Sequence, residues 1–409
     1  VSGIALASVG RRQAAGRRSL GVGRHVEEDD MSMTFGITDQ LPCGPDQSVA
    51  RRYDDVLQQA IHADRLGYDS VWPVEQHFDA ASSAMPAPLL FLAAVAARTT
   101  RIRLGTGVIL LPLHHPVRVA EEVAVLDVLS GGRVELGVGR GMDPAHFAGY
   151  DVDQATSAAR LDEGIEIVRG LLSEPDFSYD GTFHSVPART LAPRPLQHPH
   201  PPIRVAANSA ETLDRAGRRG LPVLVAAHVN PLPRLAELLE GYRRARAEGG
   251  HAEHPDDVTL LAPVFTAPTP GAVASGVAPG LRWLDNSART RLRAWRAAAP
   301  SGPAGEATRR RLDQLAATFA EPTFESMRDR AVFDTPDGCV DRIRAIRDTL
   351  GVHRLICWFD MGGLLPLRSV LDSMELFAAE VMPLLAGTTA RPGSLARQVA
   401  GQVELAPAW

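Results

Sequence analysis

A single α/β barrel of eight strand–helix units, the (β/α)8 or TIM-barrel class, is the fold this sequence predicts. Two observations carry it. Short, almost wholly apolar runs alternate with longer amphipathic ones between residues 34 and 385, and the alternation repeats eight times. Strict alternation implies parallel strands with crossover helices, and strands apolar on both faces suit a sheet covered on both sides. Eight such units close a barrel; a doubly wound open sheet is the alternative.

Thr34–Thr38 opens the series and is followed by the amphipathic Ser48–Leu66. Asp69–Trp72 goes with Pro88–Arg98, Ile102–Val108 with Val117–Leu129, and Arg133–Val138 with Ser157–Leu172. Ile203–Ala207 precedes Ala210–Arg219, and Pro222–Ala226 precedes Leu232–Ala247. The seventh strand, Val258–Thr266, waits for its helix until Pro336–Leu350, and the eighth, Arg354–Phe359, leads to Leu367–Leu385.

Insertions interrupt the series after strands 4 and 7. Residues 174–202 are rich in Pro and His, with a hairpin pattern at Phe177–Val186; residues 267–333 carry helical patterns at Thr290–Ala299 and Ala307–Ala320. Long loops on a compact domain commonly carry function, so both insertions are expected to build the substrate pocket. Residues 1–32 read as a disordered N-terminal extension, 33–386 as the barrel domain, and the Gly/Pro/Ala-rich 387–409 as a flexible tail.

The chain has 409 residues, 45% of them apolar, and a formal net charge of −5. That balance argues against nucleic acid or an anionic membrane surface as partner. Cys43, Cys339 and Cys357 are too scattered for a disulfide framework or a metal knuckle, which suits a reducing, cytoplasmic setting. No run reaches the ~18 apolar residues of a membrane helix, and Arg11, Arg12, Arg17 and Arg18 precede no apolar run, so no secretory signal is read. No metal-ligand spacing, no Gly-x-Gly-x-x-Gly after the first strand and no Gly-x-Ser-x-Gly elbow occurs.

In barrel enzymes the chemistry sits where strands end. Strand 2 runs into Val74-Glu75-Gln76-His77-Phe78, a carboxylate, an amide and an imidazole that can hold a ring system and move a proton. A histidine that merely caps the next loop is the plainer reading. Strand 3 runs into Gly105-Thr106-Gly107-Val108, where glycines allow a flat ligand close to the backbone. His114 and His115, beyond it, read as loop-ending and helix-capping. Strand 4 ends in Gly137-Val138-Gly139-Arg140-Gly141; a guanidinium flanked by glycines suits a phosphate, against the alternative of a solvated arginine. Strand 5 leads to Asn208-Ser209-Ala210-Glu211-Thr212 at a helix start, where free N–H groups and hydroxyls make an anion site, a role compatible with simple N-capping. Together the ends of strands 4 and 5 describe one phosphate pocket, from which a planar ring could cross the mouth towards His77.

These pieces, in this order, resemble the bacterial luciferase-like flavin monooxygenases. The resemblance runs from about Met33 to Leu385. It is carried by Gly67–Trp72 with Glu75–Phe78, Leu104–Pro112 with His115–Arg118, Ser130–Arg133 with Gly137–Gly141, Pro193–Gln197 with Pro201–Ile203, and Trp358–Asp360 with Glu375–Phe377 and Val381–Pro383. The resemblance implies a TIM barrel and FMN, bound as FMNH2 and supplied by a separate flavin reductase. It implies a phosphate clamp of Arg140, Ser209 and Thr212 with Asn208 near the flavin, and a cis peptide at Gly107–Val108. It also implies a small-molecule substrate, O2 as co-substrate, a C4a-peroxyflavin that delivers one oxygen by hydroxylation or Baeyer–Villiger insertion, and a homodimer. Specialised metabolism is the expected setting.

One departure matters. Members with two consecutive histidines after strand 2 use the first as base. Here that position is Gln76, so His77 takes the acid–base role, or Gln76 holds substrate by hydrogen bonds, and light emission is not expected. Asp334-Thr335-Pro336 also stands where relatives commonly have Gly-Thr-Pro. The rival enzyme on the same barrel is a coenzyme F420-dependent hydride transferase; a non-catalytic flavin-binding barrel is the third reading.

Overall fold

A computed structural model describes residues 32–298 and 323–386, with isolated positions between 302 and 313. In chain order its elements begin β1 (Thr34–Thr38), α1 (Val49–Leu66), β2 (Ser70–Val71), α2 (Pro88–Ala96), β3 (Arg103–Gly105), β4 (Ile109–Leu110) and α3 (Pro116–Ser130). They continue with β5 (Val134–Gly139), α4 (Pro144–Gly149), α5 (Ser157–Ser173), the hairpin β6 (Phe177–Asp180) and β7 (Ser185–Arg189), β8 (Ile203–Ala206), α6 (Ala210–Arg218), β9 (Val223–Ala226) and α7 (Leu232–Glu248). The last are β10 (Val258–Thr266), α8 (Pro270–Ala298), β11 (Val332–Asp334), α9 (Pro336–Leu350), β12 (Arg354–Trp358) and α10 (Leu367–Leu376).

Eight of the strands close on themselves. The ring runs β1–β2–β3–β5–β8–β9–β10–β12 and back to β1, parallel throughout, with Val258 of β10 opposite Val223 of β9 and Thr34 of β1 opposite Arg354 of β12. This is the closed (β/α)8 barrel that the alternation predicts, and the open sheet is excluded. Local chemistry sets the element ends. Ser48 accepts the Arg51 amide at the start of α1, which stops at Gly67 with φ +90°, a conformation that suits only glycine. The core fills the barrel and the space beneath the helices, with Leu104, Leu136, Val225 and Leu260 all buried.

The two ends of the barrel differ in chemistry. At the N-terminal end, Glu135 on β5 accepts Arg103 Nε at 2.6 Å, Arg354 Nη2 at 2.9 Å and Arg204 Nε at 3.0 Å, joining four strands through one carboxylate. Burial pushes that carboxyl up, but the three guanidinium groups, Arg354 foremost, bring it down to about 2. The C-terminal end is the open mouth and carries the loops that follow the strands.

The insertions depart from expectation. Residues 270–298 form one long helix, where only the Thr290–Ala299 pattern was legible. Gly276, Pro279 and Gly280 read as breakers, yet a Cβ on Gly276 would come 2.3 Å from the Phe265 ring and one on Gly280 2.8 Å from Met361. Those glycines let α8 lie close on the barrel. The short β11 adds itself beside β10, with Val332 opposite Val264. Residues 174–202, expected in the pocket, run along the outside of α5, with the His184 ring 5.2 Å from that of His115 at the start of α3. The hairpin turn is held by Glu163 of α5, which accepts the amides of Thr182, Phe183 and His184. Gln197 donates to Asp127 and to Val134 O at the start of β5, so this insertion covers the outside of α5 and the N-terminal end. The expectations for residues 1–31, for 387–409 and for most of Ala307–Ala320 lie outside the described residues.

Candidate active site

The inner wall of the mouth is apolar. Trp72, in the residue after β2, is fully buried and clusters with Leu224 of β9 and Ile356 of β12, against Val108 and Leu261. Glycines make room for it: a Cβ on Gly105 would stand 2.2 Å from its ring. The Gly107–Val108 peptide bond is cis, as the resemblance implies. Beside it, Thr106 Oγ1 donates to Gly137 O at 2.7 Å and accepts the Gly137 amide at 2.9 Å, tying the ends of β3 and β5 together.

A buried carboxylate organises the polar side of the mouth. Glu75, in the loop after β2, accepts His77 Nε2 at 2.8 Å and His114 Nε2 at 2.7 Å on one oxygen and the Leu110 amide at 3.0 Å on the other. Burial raises its pKa, but the hydrogen bonds from His114 and His77 outweigh that, so it stays below the ordinary range. The converse holds for His114, where burial lowers the pKa and the bond to Glu75 more than restores it. The His77 ring is buried, with Tyr150 Oη 3.3 Å from its second nitrogen, and its amide donates to His146 Nε2 at 3.3 Å. With Nε2–H turned to Glu75, Nδ1 of a neutral His77 accepts from the Tyr150 hydroxyl. Tyr150, His77 and Glu75 thus form one hydrogen-bonded chain from the rim to the buried carboxylate.

The residues expected to hold a phosphate follow two strands that lie side by side. Val138 of β5 is opposite Val205 of β8, so Arg140 leaves β5 next to where Asn208 and Ser209 leave β8. Ser209 caps α6: its Oγ takes the Thr212 amide at 3.4 Å and lies 3.1 Å from Thr212 Oγ1. Asn208 Oδ1 accepts the Ala226 amide at 2.9 Å, which commits that oxygen to the end of β9. Arg140 is half-buried and makes no hydrogen bond or ion pair among the described residues. A guanidinium without an acid, two hydroxyls and a helix start at the rim of an apolar well suit a phosphate with an aromatic ring.

Other expectations fared unevenly. Gln76 is half-buried, and its backbone N–H donates to Met85 O at 3.0 Å. Phe78, the last residue of the Glu75–Phe78 motif, is 69% exposed with φ +63°. His115 caps α3 through the Val117 amide at 3.3 Å, the structural role expected of it, whereas His114 belongs to the Glu75 cluster. Sequence reasoning passed over Tyr150, His146 and His228. The first two sit on and just after the short α4, where the signal was two aromatic side chains four apart following the Gly-rich end of β5.

Comparison with known proteins accords with this geometry. The family model for luciferase-like monooxygenases matches residues 33–354. The crystal structure of the monooxygenase RslO1 from Streptomyces bottropensis superposes with a TM-score of 0.72 at 31% identity, over 86% of this chain and 99% of that one. The oxygenating constituent of 3,6-diketocamphane monooxygenase from Pseudomonas putida, a type II Baeyer–Villiger monooxygenase solved with FMN, has a TM-score of 0.70 at 21% identity, over 86% of this chain and 99% of that one, and speaks for the fold. The oxygenase component of the flavin-dependent trigonelline monooxygenase of Acinetobacter baylyi is 34% identical over 47% of this chain and 54% of its own. Of these relatives, the trigonelline enzyme is flavin-dependent by name and the diketocamphane enzyme is the one solved with FMN. With a closed parallel barrel and a family match across most of its length, the chain belongs to the luciferase-like monooxygenase family.

Proposed function

We propose that this enzyme is the oxygenase of a two-component system that takes FMNH2 from a separate reductase. It inserts one atom of O2 into a small organic substrate, by hydroxylation or Baeyer–Villiger insertion. The observation that carries the reading is the unpaired Arg140 guanidinium beside Ser209 and Thr212, at the rim of the Trp72, Leu224 and Ile356 well. Bound there, reduced FMN would supply oxygen activation and the atom transferred.

The chain's own residues supply the rest. Arg140, Ser209 and Thr212 hold the phosphate, and Gly107 and Val108 give the ring a close, flat backbone to lie on. Asn208 lines the same rim. Trp72, Leu224 and Ile356 exclude water. His77, oriented by Glu75 and joined to Tyr150, moves the proton that oxygen insertion requires, while Gln76 hydrogen-bonds the substrate. Reductase dependence accords with the words "oxygenase component" in the name of the trigonelline relative. A homodimer is supported by Leu90 on α2 and Val125, Val128 and Leu129 on α3, exposed apolar side chains on two helices packed together. Sedimentation of the purified chain checks it, and a monomer at micromolar concentration would refute it. The three free, buried cysteines, with no helix among the described residues long and apolar enough to cross a membrane, suit a cytoplasmic enzyme.

The deciding experiment titrates the protein without oxygen against photoreduced FMN and against reduced coenzyme F420, following tryptophan fluorescence. Tighter binding of FMNH2, then oxygen consumption when air is admitted, is the expected result. Tighter binding of F420 would replace this reading with hydride transfer.

A further inference from the structure

Helix α8 turns one face to the mouth. Val277, Leu281, Leu284, Ala288 and Leu292 are buried along it at helical spacing. Trp283 donates from Nε1 to Ala81 O at 3.0 Å, which ties α8 to the loop after β2, and its ring meets Trp358 at 5.9 Å. Arg291 stands on the same face, one turn beyond Ser287. An arginine on an otherwise apolar face needs a partner, yet its hydrogen bond is a long one, to Ser287 Oγ at 3.5 Å, and no carboxylate reaches it among the described residues. Burial lowers its pKa, opposed at longer range by Asp79 and Asp143, one in the loop after β2 and one in the loop after β5.

His228, two residues past β9, lies in the same field. Burial first, then the positive charges of Arg291 and Arg330, bring its pKa down to about 4, so the ring is neutral. Its Nδ1 is sealed from solvent and has no hydrogen-bond partner among the described residues, and its ring meets that of Trp358 at 5.5 Å. The Trp358 indole N–H is likewise buried and unpartnered. Such groups are costly when left unsatisfied, so native proteins keep them where something else completes them. Here a cation carried by α8 and two hydrogen-bonding rings share one field, with no ion pair to the cation among the described residues.

We propose that Arg291, His228 and the Trp358 indole N–H form a subsite for an anionic oxygen group of the organic substrate, a carboxylate or the ionised oxygen of an enol or phenol. The inference rests on the reading of the mouth as the reacting site and adds the substrate class. Arg291 supplies charge, Trp358 a donor, and His228 a donor or acceptor according to the tautomer the ligand selects. The cofactor phosphate has its own holders in Arg140, Ser209 and Thr212.

The test is binding. Wild type, Arg291→Gln and Arg291→Lys are titrated with 2-naphthoate and 2-naphthamide, and with cyclohexanecarboxylate and its amide, with and without FMN. Tryptophan fluorescence reports, since Trp283 and Trp358 border the subsite. The acid should bind wild type about tenfold or more tighter than its amide, the difference a charge-assisted hydrogen bond makes. Arg291→Gln should erase that preference and Arg291→Lys keep part of it, while FMN and riboflavin affinities stay at wild-type values and certify the fold. If Arg291→Gln loses both flavins, the lysine variant decides. Equal binding or no binding of acid and amide to wild type in both pairs would overturn the proposal, as would a preference that survives Arg291→Gln. A loss of FMN but not riboflavin affinity in Arg291→Gln would assign the guanidinium to the cofactor phosphate, and also overturn it. Acid preference in a wild type that binds no FMN would instead end the proposed function and leave the subsite standing.

Discussion

Glu75 and His114 meet at 2.7 Å although 39 residues separate them in the chain, and the carboxylate oxygen they share also holds His77 at 2.8 Å. His114 titrates above an ordinary histidine: burial pulls it down, and Glu75 more than compensates. Its folded pKa is therefore raised, so the stability it contributes is full below the unfolded pKa of ~6.5 and fades as pH rises through the folded one. His114→Gln should cost about 1 kcal/mol at pH 6 and less at pH 9. Urea unfolding at both values measures this, and a cost that is the same at both would refute the pairing.

The phosphate clamp predicts a split between two flavins. Arg140→Ala should weaken FMN about tenfold or more and leave riboflavin unchanged, because the group lost serves only the phosphate. Flavin fluorescence quenching measures both; a parallel loss would mean that Arg140 supports the fold instead.

At the opposite end, Glu135 holds three guanidinium groups together. Glu135→Gln leaves them facing one another and should cost about 3–5 kcal/mol. The carboxyl is depressed from 4.5 to about 2, so its contribution is present above 4.5 and lost as the pH falls towards 2. Unfolding midpoints between pH 2.5 and 7 should drop less steeply in the glutamine variant than in wild type. Its FMN affinity should not move.

Helix α8 is seated by glycine. Gly276→Ala would drive a methyl into the Phe265 ring and should cost about 1–3 kcal/mol locally. Amide exchange across 270–298 should quicken while the barrel strands keep their protection. Uniform loss of protection would show that α8 does not move as a separate unit.

These contrasts mark what the sequence makes legible. The strands and their helices announce themselves because period and apolarity are local, and β10 and α9 have the bounds that the pattern gives. The polar rim at the ends of β5 and β8 was legible because glycine, arginine and hydroxyls follow those strands directly. Tyr150 and His114 were not, because what recruits them is a carboxylate far away in the chain. Helix α8 was half hidden, since the glycines that let it approach the barrel are the residues that argue against a helix in isolation. Arg291 read as one arginine among many; only the fold shows which face it occupies.

A vessel stoppered at its base by four locked charges must trade its contents at the other end. For the reading proposed here, flavin, substrate and product all cross the rim that the strand-following loops build, so the reductase would hand over its cargo where substrate also enters.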